Sequence, residues 1–293
     1  MAEGRKKRFG DRWEGRRLRS LPPYNELAPF IMKTKNGSCN KMEDTVEITE
    51  AERYIRQKRL NGFPGLGFLH LFIAGYIRVV SQYPGLNRFI AGQRIFARND
   101  IVFIMTIKKN MKTDAPETSI KVSFDPRDTI NDVYRKLNEE IGKVRSEGDE
   151  TNTDDVAATL MKLPRLLLKF CIFILEIMDY FGIVPKSLIQ ASPFHGSMII
   201  TDLGSIGLPA AYHHLYDFGN MPVFVAIGKK RKSVELTPDK GLIERKYIDY
   251  KVSSDERICD GFYFSQAIKM FKSIVNRPQL LEYPPDKVIE DVD

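Results

Sequence analysis

Cysteine is scarce in this chain, with only Cys39, Cys171 and Cys259 in 293 residues and no C-x-x-C pair among them. That spacing excludes a disulfide framework and a thiolate metal site, and it suits a reducing, cytoplasmic setting. Zinc knuckles, helix-turn-helix signatures and basic stripes interleaved with stacking aromatics are all missing, so nucleic acid is not an expected partner. The basic N-terminus is not followed by an apolar core and a small-residue cleavage site, so no secretory leader is expected. Repeats and linkers are lacking too. With 43% hydrophobic and 28% charged residues, the economical reading is one α/β domain with one accessory helical element.

The long apolar run from Leu163 to Ile183 has the length of a membrane span, but Arg165, Lys169, Glu176 and Asp179 interrupt it. Charges near mid-span cost a few kcal/mol each, roughly, in a bilayer. A helix apolar on most faces is expected to pack in the core or between subunits, with contact to a membrane surface or a partner as the alternative. Charge is concentrated elsewhere. Residues 1–20 hold eight basic side chains against three acids, five of the seven net positive charges. Such an arm reads as a solvated tail or as a steering patch for a polyanion, anionic lipid included.

Helix and strand signals alternate along the rest. Thr49–Leu60 reads as a helix with Thr49 as N-cap and Glu50 and Glu52 in its first turn. Phe68–Val80 is almost wholly apolar and fits a buried helix. Strands are expected at Arg88–Ala97, Ile101–Lys108 and Ser119–Phe124. Thr129 and Asp132 make a capping signal ahead of an amphipathic helix through Ile130, Val133, Leu137, Ile141 and Val144. Ser146–Asp155 reads as an exposed connection. Further strands are expected at Met198–Thr201, Pro222–Gly228 and Lys246–Val252, and a last amphipathic helix at Tyr263–Val275.

Three segments carry chemistry. Ile48–Arg59 leads through the apolar helix to Tyr83-Pro84-Gly85-Leu86-Asn87. Gly196 to Gly207 reads Gly-Ser-Met-Ile-Ile-Thr-Asp-Leu-Gly-Ser-Ile-Gly, continuing to Ala226-Ile227-Gly228. Asp255-Glu256-Arg257-Ile258-Cys259-Asp260-Gly261 precedes a helix and Asn276-Arg277-Pro278-Gln279-Leu280-Leu281. In order and spacing these resemble the catalytic domain of the dihydrolipoyl acyltransferases of 2-oxoacid dehydrogenase complexes, within the chloramphenicol acetyltransferase superfamily. The likeness covers roughly residues 45–282, apart from the stretch between Lys109 and Ser192. It implies a mixed sheet with flanking helices in one domain, assembled as a homotrimer with active sites between subunits. Residues 1–20 would be a basic arm, residues 21–293 the domain, and about 156–190 a divergent helical element. With no lipoyl-bearing module ahead of this core and no room for a subunit-binding module, the chain is not expected to be a complete component of such a complex.

The same resemblance assigns roles. Thr201 stands at the hydroxyl that contacts the oxyanion. Asp260 stands at the aspartate that holds the site in shape by pairing with an arginine, for which Arg17 or Arg19 is the nearest candidate. Acyl-coenzyme A is the implied co-substrate, with no covalently bound cofactor and no metal. At the position of the base histidine, this chain has Glu256. A carboxylate with a reference pKa of about 4.3 serves as a base for a thiol or alcohol only when burial raises it. Glu256 is thus a substitute base, or the mark of a site that kept the fold and lost the reaction. A third option places the base at His195, His213 or His214. Cys259, beside the motif aspartate, is a poor nucleophile. Peripheral contact of a cytoplasmic protein with a membrane, through the basic arm and the 163–183 helix, is a further reading.

Overall fold

A computed structural model describes residues 6–108, 117–146 and 158–293. Past Ser146, the expected polar connection lies outside the described residues. A six-stranded mixed sheet runs β2 (Cys39–Glu47), β9 (Leu242–Asp255), β8 (Val223–Leu236), β7 (Met198–Asp202), β5 (Ile101–Lys108), β6 (Glu117–Phe124). Only the β5–β7 and β7–β8 pairings are parallel. One face of this sheet is covered by α2 (Thr49–Leu60), α3 (Phe68–Gln82), α4 (Ile130–Ser146) and α7 (Gly261–Asn276). A small antiparallel sheet β1 (Gly15–Arg17), β4 (Arg94–Arg98), β3 (Arg88–Ala91) sits apart.

The core forms because α3 is apolar on nearly every side. Leu71, Phe72, Ile73, Ala74 and Ile77 are all buried between the sheet and α7. Its first turn is capped from within, the Gly67 amide donating to His70 Nδ1 at 3.1 Å. The signal at Thr129 and Asp132 closes as expected. Thr129 N–H donates to the Asp132 carboxylate at 3.1 Å, and Asp132 N–H reaches Thr129 Oγ1 at 3.4 Å.

Three expectations are corrected. The strand expected over Arg88–Ala97 is a hairpin, because Gly92 and Gln93 both adopt positive φ and turn the chain back. The basic arm is packed from Arg12 onward, since Gly15–Arg17 pairs with β4 and Arg12, Glu14 and Leu18 are buried. The apolar run forms a helix, α5 (Arg165–Phe181), but none of its residues is buried within the chain. Of two further short helices, α1 (Pro23–Ile31) had no expectation attached, while α6 (Lys186–Ala191) falls at the end of the helical element expected over about 156–190.

Candidate functional site

The motif around Glu256 ends strand β9. Asp255 and Arg257 project to the same side, two residues apart, and form a buried ion pair. Arg257 Nη2 lies 2.6 Å from Asp255 Oδ2 and Nε 2.8 Å from Oδ1, while Nη1 donates to the Met32 carbonyl at 2.7 Å. This arrangement leaves Glu256 between them, exposed, with its amide donating to the Ser38 carbonyl at 2.9 Å. Arg257 is therefore committed to Asp255 and does not pair with Glu256.

Asp260 is the N-cap of α7, its carboxylate accepting from the Tyr263 amide at 2.8 Å. The expected arginine partners lie elsewhere. Arg19 donates to Asp11 at 3.1 Å and to the Phe9 and Arg17 carbonyls, and the Arg17 amide also reaches Asp11. Among the described residues, no bond joins Asp260 to Arg17 or Arg19. The buried arginine–carboxylate pair of this motif is Asp255–Arg257. The pair joins the last residue of β9 to the turn that follows it, two positions on.

Thr201 lies on β7, half-buried, on the sheet face opposite the core, in one row with Ala226 and Lys251. The glycines of its motif have separate reasons. A side chain at Gly204 would stand 2.4 Å from the Gly228 carbonyl, and Gly207 turns the chain at φ +81°. Glu256 is five positions beyond Lys251, about 16 Å along the strand direction and two strand spacings, about 10 Å, to the side. Within one chain the two residues are thus roughly 19 Å apart. A single chain does not bring them together.

The loop after β7 covers the same outer face. His213 stacks on Phe224 at 4.3 Å and its carbonyl accepts from Ser253 Oγ, while Lys251 Nζ lies 4.6 Å above the Tyr212 ring. Burial, then the neighbouring His214, pushes the His213 ring below its ordinary pKa. His214 packs edge-on against Tyr216.

The third histidine belongs to a buried polar seam that the motifs do not announce. His195 Nδ1 is 2.8 Å from Ser192 Oγ, and its Nε2 is 3.8 Å from Asp179 Oδ1. Asp179 is gripped by Arg12, whose Nη1 lies 2.8 Å from its carboxylate. Glu14, Asn220 and Arg98 continue the seam. Burial pushes His195 down against the pull of Asp179, favouring the neutral ring. Burial opposes ionisation of Asp179, but the His195 ring and the Arg12 guanidinium outweigh it and hold the carboxyl below its usual range. Two lysines close carbonyl ends nearby. Lys121 donates to the carbonyls of Ile189 and Ser192 and is pushed down to about 7 by burial and by Arg98. Lys35 donates to those of Phe218 and Gly219 and is pushed down to about 8, chiefly by burial.

Cys259 is half-buried, and burial pushes its thiol up to about 12, with Asp260 and Asp255 adding to the effect. It is no nucleophile at neutral pH. Among the described residues, no group of three or more His, Cys, Asp or Glu side chains is placed to hold a metal ion. A groove of about 500 Å³ opens beside Gly261, between edge strand β2 and α7, walled by Met42, Val252, Phe264 and Ile268 and lined also by the charged Glu43, Asp44, Lys269 and Lys272. Beneath it, sharing Tyr250, Val252, Phe264 and Ile268, lies a wholly apolar cavity of about 40 Å³ between α3, α7 and the sheet.

No described sequence family matches the chain, and no curated protein does. Solved structures do match. A probable dihydrolipoamide acetyltransferase from Listeria monocytogenes 4b F2365 is 16% identical at a TM-score of 0.57, over 88% of this chain and 95% of that one. The cubic core of a pyruvate dehydrogenase multienzyme complex is 13% identical at 0.57, over 90% and 93%. Chloramphenicol acetyltransferase is 13% identical at 0.52, over 90% and 98%. The chain has the chloramphenicol-acetyltransferase-like fold, as the three motifs implied. At these identities the likeness speaks for the fold alone.

Proposed function

We propose that this protein binds an acyl thioester, acyl-coenzyme A, in a channel between the subunits of a homotrimer and transfers the acyl group to a thiol, hydroxyl or amine. The observation that carries this reading is the separation of Glu256 and Thr201 by roughly 19 Å along and across the sheet. On an acyltransferase-like fold, that separation suits a site that takes Glu256 from one copy and Thr201 from the next. Packing of the second copy over Glu256 supplies the burial a glutamate base needs.

In that site Glu256 takes the proton of the acceptor as its heteroatom attacks the thioester carbonyl carbon. The tetrahedral oxyanion accepts a hydrogen bond from Thr201 Oγ1. Collapse breaks the carbon–sulfur bond, and the departing thiolate recovers the proton from Glu256. The groove beside Gly261 offers apolar walls to an acyl chain.

The test is release of free thiol from acyl-coenzyme A, with Glu256→Gln and Thr201→Val as variants. Each is expected to lower the rate about a hundredfold or more, the scale of a lost base or oxyanion donor. Turnover unchanged in Glu256→Gln would overturn the role given to that residue. A second reading, a non-catalytic oligomeric module using the same channel for ligand binding or assembly, is favoured by the diversion of Asp260 to helix capping. Saturable acyl-coenzyme A binding without turnover, with any acceptor, selects it.

A further inference from the structure

Helix α5 is the least explained element of the chain. Its seventeen residues include none that is buried. At about 100° per residue, Leu166, Phe170, Phe173, Ile174, Ile177 and Phe181 fall within an arc of about 100°. Their exposures run from 36% at Ile174 to 84% at Leu166, with Phe181 at 70%. The helix is nevertheless held in place. Arg12 bonds the Asp179 carboxylate and the Asp179 and Tyr180 carbonyls, and the Tyr180 hydroxyl meets Gln93 at 2.9 Å. Leu168, Ile172 and Leu175, on the opposite arc, are half-buried. The apolar arc is presented outward by a fixed last turn.

Cations border it. Lys162, Arg165 and Lys169 are exposed and carry no ion pair among the described residues, and Glu176 is the acid that shares their edge. At the other end, the residue that grips α5 belongs to the basic arm. Phe9 precedes Arg12 by three positions, at most about 11 Å of chain. It is fully exposed, and Lys6 and Lys7 just before it in the arm are exposed. Lys186, the first residue of α6, is exposed over the Trp13 ring at 5.5 Å.

We propose that α5 lies in the interfacial plane of an anionic lipid bilayer, its apolar arc in the acyl boundary and the bordering cations among the headgroups. Among the described residues no helix is long and apolar enough to cross a membrane, so α5 would lie on the surface. Charge decides between lipid and a second copy. Two copies joined through this face would bring the same cations together, whereas anionic headgroups complement them. This inference is independent of the acyl-transfer reading.

The experiment is flotation of the full chain with phosphatidylcholine vesicles, with and without phosphatidylglycerol. The protein is expected to float with the anionic vesicles and to be released by raised salt. Phe170→Glu/Phe173→Glu, at exposed positions that leave the fold intact by circular dichroism, is expected to weaken vesicle binding at least about tenfold. Lys162→Glu/Lys169→Glu is expected to weaken binding to anionic vesicles alone. No flotation, or flotation unchanged in the phenylalanine variant, overturns the proposal. Self-association lost in Phe170→Glu/Phe173→Glu, with no flotation of the parent, overturns it in favour of a second copy.

Discussion

At the scale of single residues, the motif at the end of β9 depends on an ion pair that the family pattern did not point to. Asp255 and Arg257 are 1% and 5% exposed, and each satisfies the other. Removing one partner leaves an uncompensated buried charge. Arg257→Met is therefore expected to destabilise the chain by about 3–5 kcal/mol, read as a shift in the urea unfolding midpoint. Asp255→Asn/Arg257→Met should recover part of that loss, because the stranded carboxylate is gone. Arg257→Lys should not restore stability, since an ammonium cannot make the two parallel bonds to Asp255 and also reach Met32. The sequence pointed to the place and misread the pairing. The partner of the buried Asp255 carboxylate is local, but contacts with remote segments hold the turn that carries it, Met32 accepting from Arg257 and Ser38 from the Glu256 amide.

At the scale of elements, legibility followed periodicity and burial. The span Thr49–Leu60 was readable, but its N-cap is Ile48 rather than Thr49, whose hydroxyl accepts from the Lys246 amide instead of capping the helix. Helices α3 and α7 were readable to within a turn, because apolar spacing and punctuating glycines and prolines act locally. β1 and β2 were missed because their residues are largely polar and take strand form only by pairing with β4 and β9. For α5 only the expectation of burial in the chain's own core fails, for the converse reason: apolar residues imply that something covers a helix, but not that this chain does. The cap of α3 makes a test at this scale. Burial pushes His70 down to about 4 from an ordinary value of 6.5, and its neutral Nδ1 accepts from Gly67. The folded state therefore favours the neutral ring. Its contribution is complete above about pH 6.5 and is lost as the pH falls toward 4, by at most about 3 kcal/mol. Thermal unfolding from pH 7.5 to 4.5 should show a steeper loss in the parent than in His70→Gln, whose amide oxygen accepts the same bond without titrating. Equal slopes would remove His70 from the acid sensitivity.

At the scale of the whole molecule, the proposed site would be a property of the assembly. If Glu256 and Thr201 act together, they do so across copies, because the strand registers hold them at different ends of β9 and β7 in each chain. A trimer of 33.7 kDa chains should sediment at about 100 kDa. The sharper measurement is complementation. Thr201→Val retains Glu256, and Glu256→Gln retains Thr201, so each homotrimer lacks one half of every site. When the two are unfolded together and reassembled at equal amounts, a site is whole only where a Thr201→Val chain supplies Glu256 and a Glu256→Gln chain supplies Thr201. Random assembly makes about a quarter of the sites whole, and about a quarter of the parental activity should return. A site built within one chain would recover nothing on mixing. That outcome would separate the reaction from the subunit boundary while leaving the fold as it stands.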